Sequence, residues 1–139
     1  VNDSMGRYIG KKVVKKIISQ GKNILGAHVL VMGMTFKENV SDIRNSKVAD
    51  IINEFKDFGA EVDVMDPFAS PLEVLQEYGI RLVERPGKKY DAAVVAVAHT
   101  TYLKRDESYF MSITHEHAVL ADVKGVYRGS IHQMIYWSL

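Results

Sequence analysis

Residues 27–46 read AHVLVMGMTFKENVSDIRNS, and residues 47–59 continue as KVADIINEFKDFG. An apolar run gives way to a polar loop with a single glycine. Val48, Ile51, Ile52, Phe55 and Phe58 then recur at helical spacing up to Gly59, a helix stop. The reading is strand, loop, helix. A strand apolar on both faces and followed by a helix is the unit from which parallel sheets covered on both sides are built.

The same alternation continues on either side. Downstream, AEVDVMDP (60–67) is a second strand ending at the turn signal Asp66-Pro67, and Ser70 caps a short helix that opens with Pro71. IRLVE (80–84) is a short strand candidate, RPGKKY (85–90) a loop, and YDAAVVAVAH (90–99) the most apolar strand of the chain. TTYLKRDESYFMSI (100–113) reads as one or two helical turns, HAVLADVKG (117–125) as the last strand, and SIHQMIYWSL (130–139) as a terminal helix or irregular tail. Upstream, Met5, Tyr8, Ile9, Val13, Ile17 and Ile18 recur at helical spacing, with Lys11, Lys12, Lys15 and Lys16 between them and Gly21 as the stop. The expected fold is α/β: a three-layer, doubly wound, mainly parallel Rossmann-like sheet preceded by an N-terminal helix. That helix is either packed on the rest of the domain with its lysines solvated or the tail of a longer connecting helix, and its stripe of Met5, Ile9, Val13 and Ile17, more than one small sheet needs to cover, is expected to contribute to self-association.

Composition narrows the function. The 139 residues suit one domain with a real core, and 47% apolar with 25% charged residues is an ordinary soluble balance. A formal net charge of +1 gives no overall field toward nucleic acid or an anionic membrane, so anion binding must be local. The absence of cysteine excludes disulfides, thiolate metal sites and a cysteine nucleophile within these residues. No apolar run approaches the roughly 18 residues of a membrane span, and VNDSMGRYIGKK lacks the apolar stretch of a signal peptide. A cytoplasmic location is the expectation.

Ligands of open α/β sheets bind beyond the carboxyl ends of the strands. Three segments meet that condition: the 33–46 loop, Asp66-Pro67 and His99-Thr100. The first contains neither G-x-G-x-x-G nor a Walker A pattern. Lys37 can nevertheless reach a phosphate as a point charge, Arg44 can do so with a planar fork, and Phe36 can pack beside a base or sugar. The alternative is a core Phe36 above a solvated loop in which Lys37, Glu38, Asp42 and Arg44 pair among themselves. Asp66 invites comparison with a ribose-binding acid, yet with Pro67 behind it a turn former is the better reading. His99 reads as a hydrogen-bonded structural histidine, since spacing indicates no carboxylate partner. His115, Glu116 and His117 read as surface. Lys124 follows a strand on the same side as Lys37 and is the second candidate phosphate ligand. No catalytic centre and no metal set can be assembled from these residues.

The pattern G-x-x-F-K-x-(polar)-x-x-D-x-R-x-S over residues 33–46 resembles the start of the C-terminal domain of the UDP-glucose/GDP-mannose dehydrogenase family. NDSMGRYIGKKV resembles the last part of that family's central helix, and YDAAVVAVAHTTY and VLADVKGVY its later strands. TFKENVSDIRNS with VAH is most similar to the branch acting on UDP-N-acetylhexosamines. The resemblance implies that residues 1–21 end a central connecting helix and residues 22–139 form a UDP-sugar-binding domain. It implies that a separate N-terminal domain carries the NAD fingerprint and the catalytic cysteine, and that the full-length enzyme oxidises a sugar C6 alcohol to a carboxylate and is a homo-oligomer. Phe36 and Lys37 then match residues that hold the uracil side and the phosphates. Lys124 matches a further basic contact, Arg44 an arginine reaching toward the NAD pyrophosphate, and Asp42 a residue orienting Arg44 or Lys37. The single glycine follows from a loop that reaches with side chains instead of wrapping a pyrophosphate. The competing readings are a stand-alone nucleotide-binding or regulatory α/β module and a flavodoxin-like or receiver domain. A receiver domain needs clustered acids, which Asp66 and Asp122 alone do not supply.

Overall fold

Along each strand, side chains alternate between two apolar clusters, which is what a sheet buried on both faces requires. The computed structural model describes residues 3–139. It runs α1 (Asp3–Ser19), β1 (His28–Met32), α2 (Val48–Asp57), β2 (Glu61–Met65), α3 (Pro71–Tyr78), β3 (Tyr90–Val95), α4 (Thr100–Leu103), α5 (Glu107–Ser112), β4 (Thr114–Asp122) and β5 (Ile135–Ser138). All five strands are parallel, in the order β2-β1-β3-β4-β5. The chain leaves β1 toward β2 and returns to β3 on the other side, so the switch point of this doubly wound sheet lies between β1 and β3.

Val29 and Val31 of β1, Ala92 and Val94 of β3, and Val119 and Ala121 of β4 join a cluster with Ile9, Val13, Val14 and Ile17 of α1, Ile51, Ile52 and Phe55 of α2, and Val74 of α3. Leu30, Met32, Ala93, Val95 and Leu120 face the other way, onto Tyr102 of α4, Phe110 of α5 and Tyr127. A register shift between Tyr90 and Ala92 lets Tyr90 join this second cluster out of phase with the rest of β3. Ser70 accepts from the Glu73 amide, Pro71 opens α3 and Gly79 closes it in the left-handed region, as the sequence predicts. Among the described residues no helix is long and apolar enough to cross a membrane.

Three expectations are corrected. IRLVE is not a strand: Leu82 makes one isolated bridge to Val64, and Arg81, Glu84 and Arg85 leave too few apolar positions for a longer ladder at this edge. The terminal segment is neither helix nor irregular tail. Ile135–Ser138 is an edge strand parallel to β4, with Ile135 and Trp137 on one face of the sheet and Tyr136 on the other. Finally, the α1 stripe, expected to be more than this sheet needs, is mostly used within this chain. Ile9, Val13 and Ile17 are buried within this chain, and only Met5, Tyr8 and Ile18 face outward. The first two residues of the expected 1–21 helix lie outside the described residues.

Candidate functional site

At the carboxyl end of the sheet, the loops after β1, β3 and β4 converge with the first turns of α1 and α2 around a cavity of about 160 Å³. Phe36 and Lys37 come from the β1 loop, Ala96 and Val97 from the β3 loop, and Val123 and Lys124 from the β4 loop. Lys47, at the N-terminus of α2, adds a third lysine against one acidic side chain, Glu38. Lys37, Lys47 and Lys124 are exposed, and among the described residues none of them forms an ion pair. Phe36 is not core; it is 55% exposed beside these lysines. The floor is apolar, from Ile9, Val48, Ile51 and Val97. Three lysines without ion pairs among the described residues, lining a small apolar-floored hollow, suit a phosphate and part of an adjoining ring. The hollow is smaller than the roughly 300–1,000 Å³ of a complete small-molecule site.

The β1 loop is held from beneath. Asp66, at the end of β2, accepts from the amides of Met34 (2.6 Å), Thr35 (3.0 Å) and Phe68 (2.8 Å), and lies 2.9 Å from His99 Nε2. Its side chain is fully buried. Burial pushes the carboxyl up, but the His99, Met34 and Phe68 hydrogen bonds outweigh it and hold Asp66 below the usual carboxylate range. The turn role expected of Asp66 is present in its bond to Phe68. Both of its oxygens are taken by donors of this chain. His99 is structural and hydrogen-bonded as expected, but it does have a carboxylate partner, 33 residues away in sequence, which spacing could not reveal. Asp122 does the equivalent work under Lys124, accepting from the Val126 and Tyr127 amides and the Tyr136 hydroxyl. Both strand-end acids are thus consumed by internal donors.

Arg44 does not share the cavity of Phe36, Lys37 and Lys124. It lies on a separate cleft of about 500 Å³ with Ser41, Glu73, Gln76 and Glu77. Its side chain is 79% exposed and grips Asp42 with two hydrogen bonds of 3.1 Å. Hydrogen bonding to Arg44 holds the Asp42 carboxyl below its usual range, and the same pair raises the guanidinium. Of the two orienting roles expected for Asp42, the contact made is with Arg44. With Asp42, Glu73 and Glu77 around one cation, this cleft does not cradle a pyrophosphate by itself. Arg44 fits such a group only as one contact among others supplied from elsewhere.

His115, Glu116 and His117 are exposed at the start of β4, at the opposite end of the sheet, and no cluster among the described residues could hold a metal ion. Sequence reasoning missed Lys47, which reads as an ordinary lysine at a helix start, and Asn39, whose positive φ of 59° gives no sign in composition.

Fold and site together define a Rossmann-like α/β domain with a basic cavity at its switch point. The model of the "UDP-glucose/GDP-mannose dehydrogenase family, UDP binding domain" matches residues 30–129, and the chain belongs to that family. It is 38% identical over 127 residues to a UDP-N-acetyl-D-glucosamine 6-dehydrogenase of Salmonella typhi and 36% identical to protein CapL of Staphylococcus aureus. In both cases 91% of this chain and 30% of the relative are covered. The chain therefore spans about a third of the length of these relatives. Among solved structures, the UDP-N-acetyl-mannosamine dehydrogenase Cap5O of Staphylococcus aureus matches 97% of this chain and 30% of its own, at a TM-score of 0.72 and 26% identity. The NDP-N-acetyl-D-galactosaminuronic acid dehydrogenase of Methanosarcina mazei Go1 matches 98% of this chain and 29% of its own, at 0.84 and 20%, a likeness of fold.

Proposed function

We propose that residues 22–139 are the UDP-sugar-binding domain of an NAD-dependent nucleotide-sugar 6-dehydrogenase that supplies uronate precursors of polysaccharides, with residues 1–21 the end of a connecting helix. The observation that carries this reading is that Phe36, Lys37 and Lys124, from two loops far apart in sequence, line one basic cavity at the switch point. Lys37 and Lys124 contact the diphosphate, joined by Lys47, and Phe36 packs at the uracil side. The sugar is a UDP-N-acetylhexosamine, a choice supported by the relatives that are UDP-N-acetyl-D-glucosamine 6-dehydrogenases.

NAD supplies the hydride acceptor in this reading and is held mainly by a separate N-terminal domain. Arg44 is this chain's single contact to it, exchanging Asp42 for the pyrophosphate when the domains close. The cavity's small size agrees with a second wall coming from that domain. The full-length enzyme is placed in the cytoplasm as a homo-oligomer, whose contacts must use surfaces other than the inward stripe of α1.

The test is calorimetric titration of the 139-residue chain with UDP. A charge-assisted hydrogen bond contributes roughly 1.5–3 kcal/mol, so Lys37→Ala should weaken UDP by about one to two orders of magnitude. Arg44→Ala should change it less than about threefold, as for an exposed ion pair off the site. Equal UDP affinity in Lys37→Ala and the parent chain would refute this assignment of the cavity.

A further inference from the structure

We propose that His99 is a positioning residue for the Phe36–Lys37 loop, fixing the loop's shape through a hydrogen-bonded relay that runs from Asp66 through the imidazole to the backbone of Asn39. This rests on the UDP-site reading above.

The imidazole is fully buried, and both of its nitrogens are engaged. The Asn39 amide lies 2.9 Å from Nδ1 and can only donate, so Nδ1 carries no proton. The ring proton is therefore on Nε2, facing Asp66 Oδ2 at 2.9 Å, with Thr35 Oγ1 at 3.2 Å. Asp66 Oδ2 also holds the Met34 and Thr35 amides. One buried pair thus grips the loop on both sides of Phe36 and Lys37: at residues 34 and 35 by the carboxylate, and at residue 39 by the imidazole.

The remaining bonds lock what lies between. Thr35 Oγ1 donates to the Lys37 carbonyl (2.9 Å). Asn39 exchanges two bonds with Thr100, accepting from its amide (2.9 Å) and donating to its hydroxyl (2.7 Å). Phe68 lies over the imidazole at a ring separation of 4.6 Å and Tyr102 beside it at 5.4 Å, which keeps water from competing. A histidine that merely filled the core would not need an acceptor aimed at an exposed loop. Among the described residues, the bond from the Phe36 amide to the Asp42 carbonyl is the one other tie between residues 35–39 and the chain around them.

Two substitutions separate the halves of the relay. Asn at position 99 places an oxygen near the site of Nδ1, so His99→Asn keeps the Asn39 bond and gives up Asp66. Gln reaches further, so His99→Gln can donate to Asp66 but leaves the Asn39 amide without an acceptor. In the 139-residue chain without ligand, exchange of the Asn39 amide, followed by NMR, should quicken at least about tenfold in His99→Gln and stay near the parent rate in His99→Asn. UDP Kd should rise about tenfold in His99→Gln, the loss of one such bond, and less than about threefold in His99→Asn. Both variants should melt lower than the parent, so affinity follows the Asn39 bond and not stability.

Asn39→Gly leaves the buried pair intact, tolerates the positive φ and removes only the Thr100 clamp. It should fold normally and, because the residue-39 amide still donates to His99, lose less UDP affinity than His99→Gln. The relay is overturned by unchanged Asn39 exchange in His99→Gln or by UDP affinity that tracks melting temperature across the variants. Failure of the parent chain to bind UDP would instead sink the UDP-site reading, with the exchange rates still deciding the relay.

Discussion

Gly33 is the one glycine of the loop after β1, and it is needed for the meeting of two strands, not for wrapping a phosphate. Its φ is +105°, and a Cβ there would lie 2.7 Å from the Val97 Cβ and 2.9 Å from the Val97 amide nitrogen. The β1 and β3 loops therefore pass at backbone contact directly above the switch point. A side chain would force them apart and spread Lys37 from Val97 and Lys124 in the cavity. Backbone strain of this kind costs of order 1–3 kcal/mol, and overpacking adds a similar amount. Gly33→Ala should lower stability by about 3 kcal/mol, a fall in Tm of about 10 °C for a chain of this length. Thermal unfolding followed by circular dichroism checks it. A melting temperature equal to the parent's would mean that the loops are not in this contact.

At the scale of elements, α1 and α2 pack so closely that glycines are needed in their seam. A Cβ on Gly6 would fall 2.6 Å from the Asp50 Cβ, and one on Gly10 2.7 Å from the Glu54 Cβ. Two glycines one turn apart thus let the helix backbones approach. Glu54 is buried in that seam and paired with Arg7 at 2.9 Å. Gly10→Val should push α1 away and expose part of Ile9, Val13 and Ile17, lowering stability by about 2 kcal/mol although Val is a better helix former than Gly. If Gly10→Val melted higher than the parent, helix propensity would outweigh this contact. Much of the element order was legible because local pattern and global need agree. The strands around residues 30 and 93 are apolar on both faces, and α2 and α3 carry their caps or stops in the sequence. The failures have physical reasons. MIYWS alternates between faces over too few residues to declare itself a strand, and it becomes one because β4 offers a free edge. The α1 stripe was legible as apolar, but not that its partner is α2 of the same chain. In the site, Phe36, Lys37 and Lys124 could be picked out by residue type and position after a strand. The Asp66–His99 pair could not, because it exists only once β2 and β3 are placed on either side of β1.

At the scale of the whole molecule, the proposed UDP site and the proposed chemistry fall on different parts of the enzyme. The family chemistry proposed above needs a nucleophilic cysteine and a bound dinucleotide. These residues include no cysteine, and the arginine proposed to reach the cofactor, Arg44, is exposed and paired with Asp42. Lys37, Lys47 and Lys124, by contrast, carry no competing ion pair among the described residues, so the cations proposed to meet the diphosphate are all supplied by this chain. Binding and turnover should therefore separate. The purified chain should bind UDP yet form no NADH above background with a panel of UDP-sugars and NAD, as read by NADH absorbance. An enzyme contaminant from the host would give a rate that survives Lys37→Ala in this chain. NADH formation that Lys37→Ala abolished would overturn the division of labour, since the hydride transfer would then have to be assembled on these loops without a cysteine.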